Sequence, residues 1–174
     1  MFGMIRIAGL ALTIALTSFQ AQASDKASAD KMSWQSLRCM ALNIYHEARG
    51  EPLQGKIAVG HVVLNRVAAR QWPGKICEVI KQGGQQRRYR CQFSWFCDGR
   101  PDTPQDVAAW RESLLVAMLI RQGATDDPTK GALWYHADYV SPYWSKVFTP
   151  YRKIGSHIFY VRDTEKNNSR KSRG

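Results

Sequence analysis

The chain has 174 residues with 25 Lys and Arg against 14 Asp and Glu, a net charge of +11, and that length suits one domain with a real core. The basic surplus suits an anionic polymer (nucleic acid, an acidic lipid surface or a wall matrix with free carboxylates), although a plain solvated surface would look the same. No stretch approaches the roughly 20 apolar residues of a membrane-spanning helix.

The first 23 residues read as an export signal. Arg6 supplies a positive start, Ile7 to Thr17 is mostly apolar, and Ala21-Gln22-Ala23 has the small-x-small pattern of a cleavage site. Cleavage after Ala23 removes only Arg6 from the charge count, leaving 151 residues at +10. The expected location is the periplasm or the wall and extracellular space, which argues against nucleic acid as a partner. Residues 24–32 are small, polar and charged and read as a flexible leader, so the folded domain is expected over 33–162.

From Ser33 the apolar residues Trp34, Leu37, Ala41, Ile44 and Ala48 recur at helical spacing, with Ser33 as N-cap and Gly50 as the stop. Pro52 suits the first position of a second helix, whose apolar face is read as Ile57, Gly60/His61, Leu64 and Val67/Ala68. Gly60 would admit a close neighbour. Residues 71–102 have no helical period and read as a stapled loop with short β pieces. A third helix is expected from an N-cap at Thr103, through Pro104 and Asp106, along Val107, Trp110, Leu114 and Met118 to Gly123, forming the central core element. Leu133-Trp134-Tyr135-His136, a turn at Pro142-Tyr143-Trp144 and the strand-like His157 to Val161 follow. Residues 163–174 read as a basic disordered tail. The pattern is mainly α with a small β and loop region, an α+β chain without internal repeats.

Cys39, Cys77, Cys91 and Cys97 make an even number in an exported chain, which favours two disulfides. Of three possible pairings, Cys77–Cys91 with Cys39–Cys97 is preferred; the second bond would pin the first helix to the loop near the cleft. Neither a C-x-x-C pair nor an H-E-x-x-H motif occurs, so no metal or other cofactor is expected, and a zinc amidase built on His46, His61, His136 or His157 is the weaker reading.

Glu47 is the residue most suited to chemistry. On a helical wheel it stands about 60° from Ile44, on the flank of the buried stripe. It also lies in the last turn, where unsatisfied carbonyls and loss of water both disfavour a carboxylate, so its pKa should rise to suit a general acid near neutral pH. Glu51 reads either as a charge favourable to the second helix's N-terminus or as a second site carboxylate, and Asp98 is another candidate for the latter role.

The blocks Tyr45-x-Glu47-Ala48-Arg49-Gly50-Glu51-Pro52-x-x-Gly55, Val62 to Val67, Gln92-Phe93-Ser94-Trp95, Asp98-Gly99, Asp127-Pro128-Thr129-x-Gly131-Ala132-Leu133 and Ile154-Gly155-x-His157-x-Phe159-Tyr160 together resemble the SleB/CwlJ-type cell wall hydrolases. The resemblance spans about residues 37–161. It implies a compact, lysozyme-like helical domain that cleaves the glycan strand of peptidoglycan, several members being lytic transglycosylases, with Glu47 in the place of the catalytic glutamate. A single carboxylate then suffices: it protonates the leaving oxygen, the sugar's own C6 hydroxyl attacks, and the carboxylate takes that hydroxyl's proton, with the intramolecular attack favoured by high effective molarity. Water attack, positioned by Glu51 or Asp98, would instead make a muramidase or glucosaminidase, and a non-catalytic wall-binding protein is a further alternative. Tyr45, Gln92, Ser94, Trp95, Tyr135, His157 and Tyr160 are the expected sugar contacts, whereas Phe93, Trp134 and Phe159 are expected in the core. The expected partner is peptidoglycan and the expected state a monomer.

Overall fold

A computed structural model describes residues 33–84, 88 and 90–162; the expected export signal, leader and tail lie outside them. Helix α1 runs Trp34–Ala48, α2 Leu53–Ala68, α3 Ile76–Ile80 and α4 Val107–Arg121, followed by strands β1 (Trp134–Ala137), β2 (Thr149–Ile154) and β3 (His157–Val161). Short 3-10 turns occupy Ser94–Cys97 and Tyr143–Lys146. Among the described residues no helix is long and apolar enough to cross a membrane.

Helix α1 starts where its cap requires: Ser36 N donates to Ser33 Oγ at 3.1 Å. It is also the central element, packing against α2, α3 and α4 and burying Leu37, Met40, Ala41, Ile44 and Ala48. The central role expected of the third helix therefore belongs to the first. Helix α4 leaves Val107 and Leu115 exposed and buries mainly Ser113, Val116, Ala117 and Ile120.

That helix also begins later than expected. Asp106, not Thr103, is its N-cap, accepting from Ala109 N at 3.0 Å. The reason lies on α1, where the buried Tyr45 hydroxyl accepts from Gln105 N at 3.1 Å and Asp106 N at 3.0 Å. In a helix begun at Pro104 both donors would be orphans of the first turn; Tyr45 satisfies them in the chain that leads up to the cap. Helix α2 is capped by Pro52 and is buried on most sides, through Val59, Val62 and Val63 as well as Ile57, while His61, Leu64 and Val67 are only half-buried. At Gly60 the close neighbours are the side chains of Ile120 and Ile44.

The disulfides differ from the expected pairing: Cys39 joins Cys77 and Cys91 joins Cys97, with Cα atoms 5.5 Å and 6.1 Å apart. Residues 76–80 form α3, not a β piece, and its packing on α1 brings Cys77 to Cys39. The second bond closes a short loop around the 3-10 turn Ser94–Cys97, an inexpensive closure because its ends are only six residues apart.

The sheet has the antiparallel order β1-β3-β2, with Tyr135 opposite Phe159 and a bulge at Pro150/Arg152. Alternation along β3 sends Phe159 and Val161 into a cluster with Ala48, Ala58, Val59, Val62 and Ala132. Tyr160 points to the other face, where it meets His136 and Trp144. The sheet thus lies with one face on α1 and α2, and that contact creates the site.

Candidate active site

Glu47 is half-buried in the last turn of α1. The Tyr135 hydroxyl, on the inner face of β1, donates to Glu47 Oε2 at 2.9 Å. Beneath them lies Arg66 of α2, 3 % exposed, whose Nε donates to Leu133 O at 2.8 Å. Its guanidinium sits over the rings of Trp72 at 4.5 Å and Phe93 at 5.1 Å. One of its terminal nitrogens, Nη1, has no partner among the described residues. Among the described residues no ion pair within 4 Å links Arg66 to Glu47, yet its positive field reaches the carboxyl.

Three physical effects set the acidity of Glu47. Burial raises its pKa and prevails over the Tyr135 hydrogen bond and the Arg66 charge, both of which lower it. The same environment works back on the partners. Arg66 is pushed down to about 10 by burial, opposed by Tyr135 and Glu47. Tyr135 is held well above the ordinary tyrosine value by burial and then by Glu47, so it remains a donor. The outcome is a carboxylic acid that keeps its proton to higher pH than a solvated glutamate but has two groups ready to accommodate its anion.

The loop before β1 explains how Tyr135 arrives there. Asp127 Oδ1 accepts from Thr129 N and Thr129 Oγ1 at 2.8 and 2.7 Å, and Oδ2 accepts from Gly131 N at 2.8 Å and Asn65 Nδ2 at 2.9 Å. Asn65 Nδ2 also donates to Ala132 O at 3.1 Å. Burial alone would raise Asp127, but these donors win and hold it below its ordinary value. Asn65 and Arg66, adjacent on α2, therefore grip the two carbonyls, of Ala132 and Leu133, that lead into β1.

Glu51 is engaged elsewhere. It accepts from Ser156 N at 2.9 Å and from Ser156 Oγ in a short bond, tying the start of α2 to the β2–β3 turn. Burial lifts its pKa, but the Ser156 bonds and the His157 charge outweigh it and keep Glu51 ionised below the usual range. Gly155, at φ +59°, and Gly55 leave the space this side chain fills. Lys56 Nζ, itself buried, donates to Glu51 O at 2.7 Å and pairs with Glu112 at 3.0 Å. His157 Nδ1 lies 3.8 Å from Glu51 Oε1 and its ring meets Tyr135 edge-on at 5.2 Å. Burial lowers the His157 pKa against the fields of Glu51 and Asp138.

The remaining expected residues separate into two groups. Tyr135 reaches Glu47 directly, whereas His157 stands behind it, against the Tyr135 ring and Glu51. Trp95 is buried and donates from Nε1 to Asn43 Oδ1 at 3.1 Å, with His46 stacked on it at 4.5 Å. Ser94 is exposed and Gln92 half-buried on the same loop. Tyr45 is committed to the start of α4, and Tyr160 bonds His136 Nε2 at 2.8 Å on the outer face of the sheet, so neither reaches Glu47. Asp98 Oδ1 accepts from Arg100 N at 2.8 Å and lines a groove of about 590 Å3 that does not include Glu47. The four histidines take separate partners: Trp95, Thr125, Tyr160 and Glu51. Arg66 had no expected role, although its position three and four residues after Val63 and Val62, on an apolar face, marks it as a buried charge in need of a purpose.

A model of the family described as Cell Wall Hydrolase matches residues 50–160, a span that begins just after Glu47. A spore cortex-lytic enzyme of Bacillus cereus is 33 % identical over 129 residues, covering 73 % of this chain and 44 % of that protein. One of Bacillus subtilis is 32 % identical over 124 residues, covering 71 % and 36 %. The chain thus spans less than half the length of these relatives. Among solved structures, the catalytic domain of Bacillus cereus SleB superposes with a TM-score of 0.57 at 30 % identity, covering 74 % of this chain and 91 % of that one. The catalytic domain of the germination-specific lytic transglycosylase SleB from Bacillus anthracis gives 0.56 at 32 % identity, covering 74 % and 96 %.

Proposed function

The chain belongs to the cell wall hydrolase family, and from that premise we propose that it cleaves the glycan strand of peptidoglycan as a lytic transglycosylase, with Glu47 as acid and then base. The observation that carries the reading is the half-buried Glu47 carboxyl, raised in pKa and held by the Tyr135 hydroxyl beside the Arg66 charge. Because Tyr135 occupies Oε2, the other oxygen is free to carry the proton toward the glycosidic oxygen. As the bond between the sugars breaks, that proton passes to the departing hydroxyl, and Glu47 becomes an anion that Tyr135 and Arg66 stabilise where water is scarce. The sugar's C6 hydroxyl then attacks the anomeric carbon and gives its proton to Glu47, restoring the acid and leaving a 1,6-anhydro end.

A single-carboxylate route is favoured by the state of the alternatives. Glu51 is locked on Ser156 and Asp98 on Arg100 N, so neither is placed to activate water for Glu47's substrate. The similarity to the catalytic domain of the Bacillus anthracis lytic transglycosylase SleB supports the same reading. Export belongs to this reading on the strength of residues 1–23, as do a monomeric state and action without a cofactor. Purified peptidoglycan digested with wild type and Glu47→Gln, followed by mass spectrometry of the muropeptides, tests it. Anhydro ends from wild type and none from the variant are expected; reducing ends would select hydrolysis, and no cleavage would leave a binding protein.

A further inference from the structure

The groove of about 590 Å3 lies on α1 on the side away from the Glu47 carboxyl. On a wheel of 100° per residue, His46 and Arg49 stand about 100° and 160° round the helix from Glu47. The stacked His46–Trp95 pair, rings 4.5 Å apart and 13° from parallel, forms part of the groove's wall. The rest of the lining is charged with both signs: Arg49 and Arg100 on one hand, Asp98, Asp102 and the helix-capping Asp106 on the other. None of these five has a salt bridge among the described residues, and Arg49 rests over the Tyr45 ring at 5.2 Å. Burial raises the Asp102 pKa; His46 and Lys81 oppose it, but the neighbouring Asp98 adds to the rise, so a cation there would relieve the two carboxylates.

Carboxylates and guanidinium groups also bond sugar hydroxyls, but opposite charges set side by side suit a ligand that itself carries both signs. A glycan strand of the wall also carries short peptides, with free carboxylates and an ammonium, hung from alternate sugars. We propose that this groove receives the peptide arm of the strand whose sugars lie at Glu47, its carboxylates on Arg49 and Arg100 and its ammonium toward Asp98 and Asp102. This rests on the peptidoglycan reading above and adds a substrate determinant to it. The reach is sufficient: a helix with its side chains is about 10–12 Å across, and a four-residue peptide extends to about 14 Å. A tethered group can pass over the Trp95–His46 rim while the sugars stay at the acid.

The test uses the Glu47→Gln protein, which binds without turnover, and two soluble glycan oligomers of equal length, one bearing its peptides and one stripped of them by an amidase. Titration calorimetry at low salt is expected to show about tenfold tighter binding of the peptide-bearing oligomer, the scale of one good charge-assisted contact. Adding Arg49→Ala and Arg100→Ala, both at exposed positions, is expected to reduce that ratio to within about threefold of one. Equal affinity for the two oligomers in the parent, or an undiminished ratio in the triple variant, overturns the groove assignment alone. Binding of neither oligomer overturns the peptidoglycan reading together with it.

Discussion

Replacing Tyr135 by Phe removes one oxygen from the site and nothing else. The lost bond is the 2.9 Å contact to Glu47 Oε2, and a hydrogen bond to a charged group contributes about 1.5–3 kcal/mol net. In the proposed mechanism Glu47 starts protonated and the bond is of the weaker neutral kind, so most of that energy is realised only when Glu47 becomes an anion. That is the state formed as the glycosidic bond breaks. At about 1.4 kcal/mol per factor of ten, kcat should fall about 10- to 100-fold while KM changes little. The pH profile moves too. The tyrosine bond lowers the Glu47 pKa, so its removal raises it, and the high-pH limb, where the acid loses its proton, shifts upward. Release of soluble fragments from dye-labelled peptidoglycan, measured from pH 5 to 9, reads both effects, with thermal unfolding as a check on folding. A variant with wild-type kcat and an unmoved high-pH limb refutes the assignment of Tyr135 as the group that steadies Glu47.

Glu47→Gln should be inactive yet more stable than wild type in alkaline buffer. The native pKa lies above the unfolded one, so the native state holds the extra proton and its stability falls as pH rises through that interval; urea unfolding of the two proteins should converge below the ordinary glutamate range and diverge above it. Arg66→Met should abolish activity and cost about 3 kcal/mol, because it removes the donor to Leu133 O as well as the charge beside Glu47; denaturant titration with an activity assay separates the two losses. Gly155→Ala forces a left-handed residue and drives its Cβ into Glu51, so unfolding free energy should drop by about 2–4 kcal/mol. Replacing Cys39 and Cys77 by serine should cost about 4 kcal/mol, and replacing Cys91 and Cys97 about 2, following the 38- and 6-residue separations they bridge.

What the sequence reveals of this fold is what is local. The three-four spacing of α1 places Glu47 at the edge of the buried stripe, and the structure finds it half-buried there. Ser33 as cap and the His157–Val161 strand are equally legible from their own residues. The misplaced features are those decided at a distance. The start of α4 is set by the Tyr45 hydroxyl about 60 residues earlier, and the partner of Cys39 by the packing of a five-residue helix with too few turns to show a period. The Tyr135–Glu47 bond joins residues 88 apart, and no spacing rule announces it. Glu51 illustrates the converse: its place before Pro52 suggests a dipole contact or a catalytic role, yet Ser156 and the space left at Gly155 give it the work of a clamp.

The acidity of Glu47 comes from three stretches of chain that meet only when β1 has docked on α1 and α2. Before that meeting the side chain is an ordinary solvated glutamate, ionised at neutral pH and useless as a proton donor. On the proposed mechanism, catalytic competence is therefore coupled to that one tertiary contact: a nascent or nicked polypeptide carries every residue of the site and none of its reactivity. A carbon-13 label on that one carboxyl would let the docking of β1 be followed by titration.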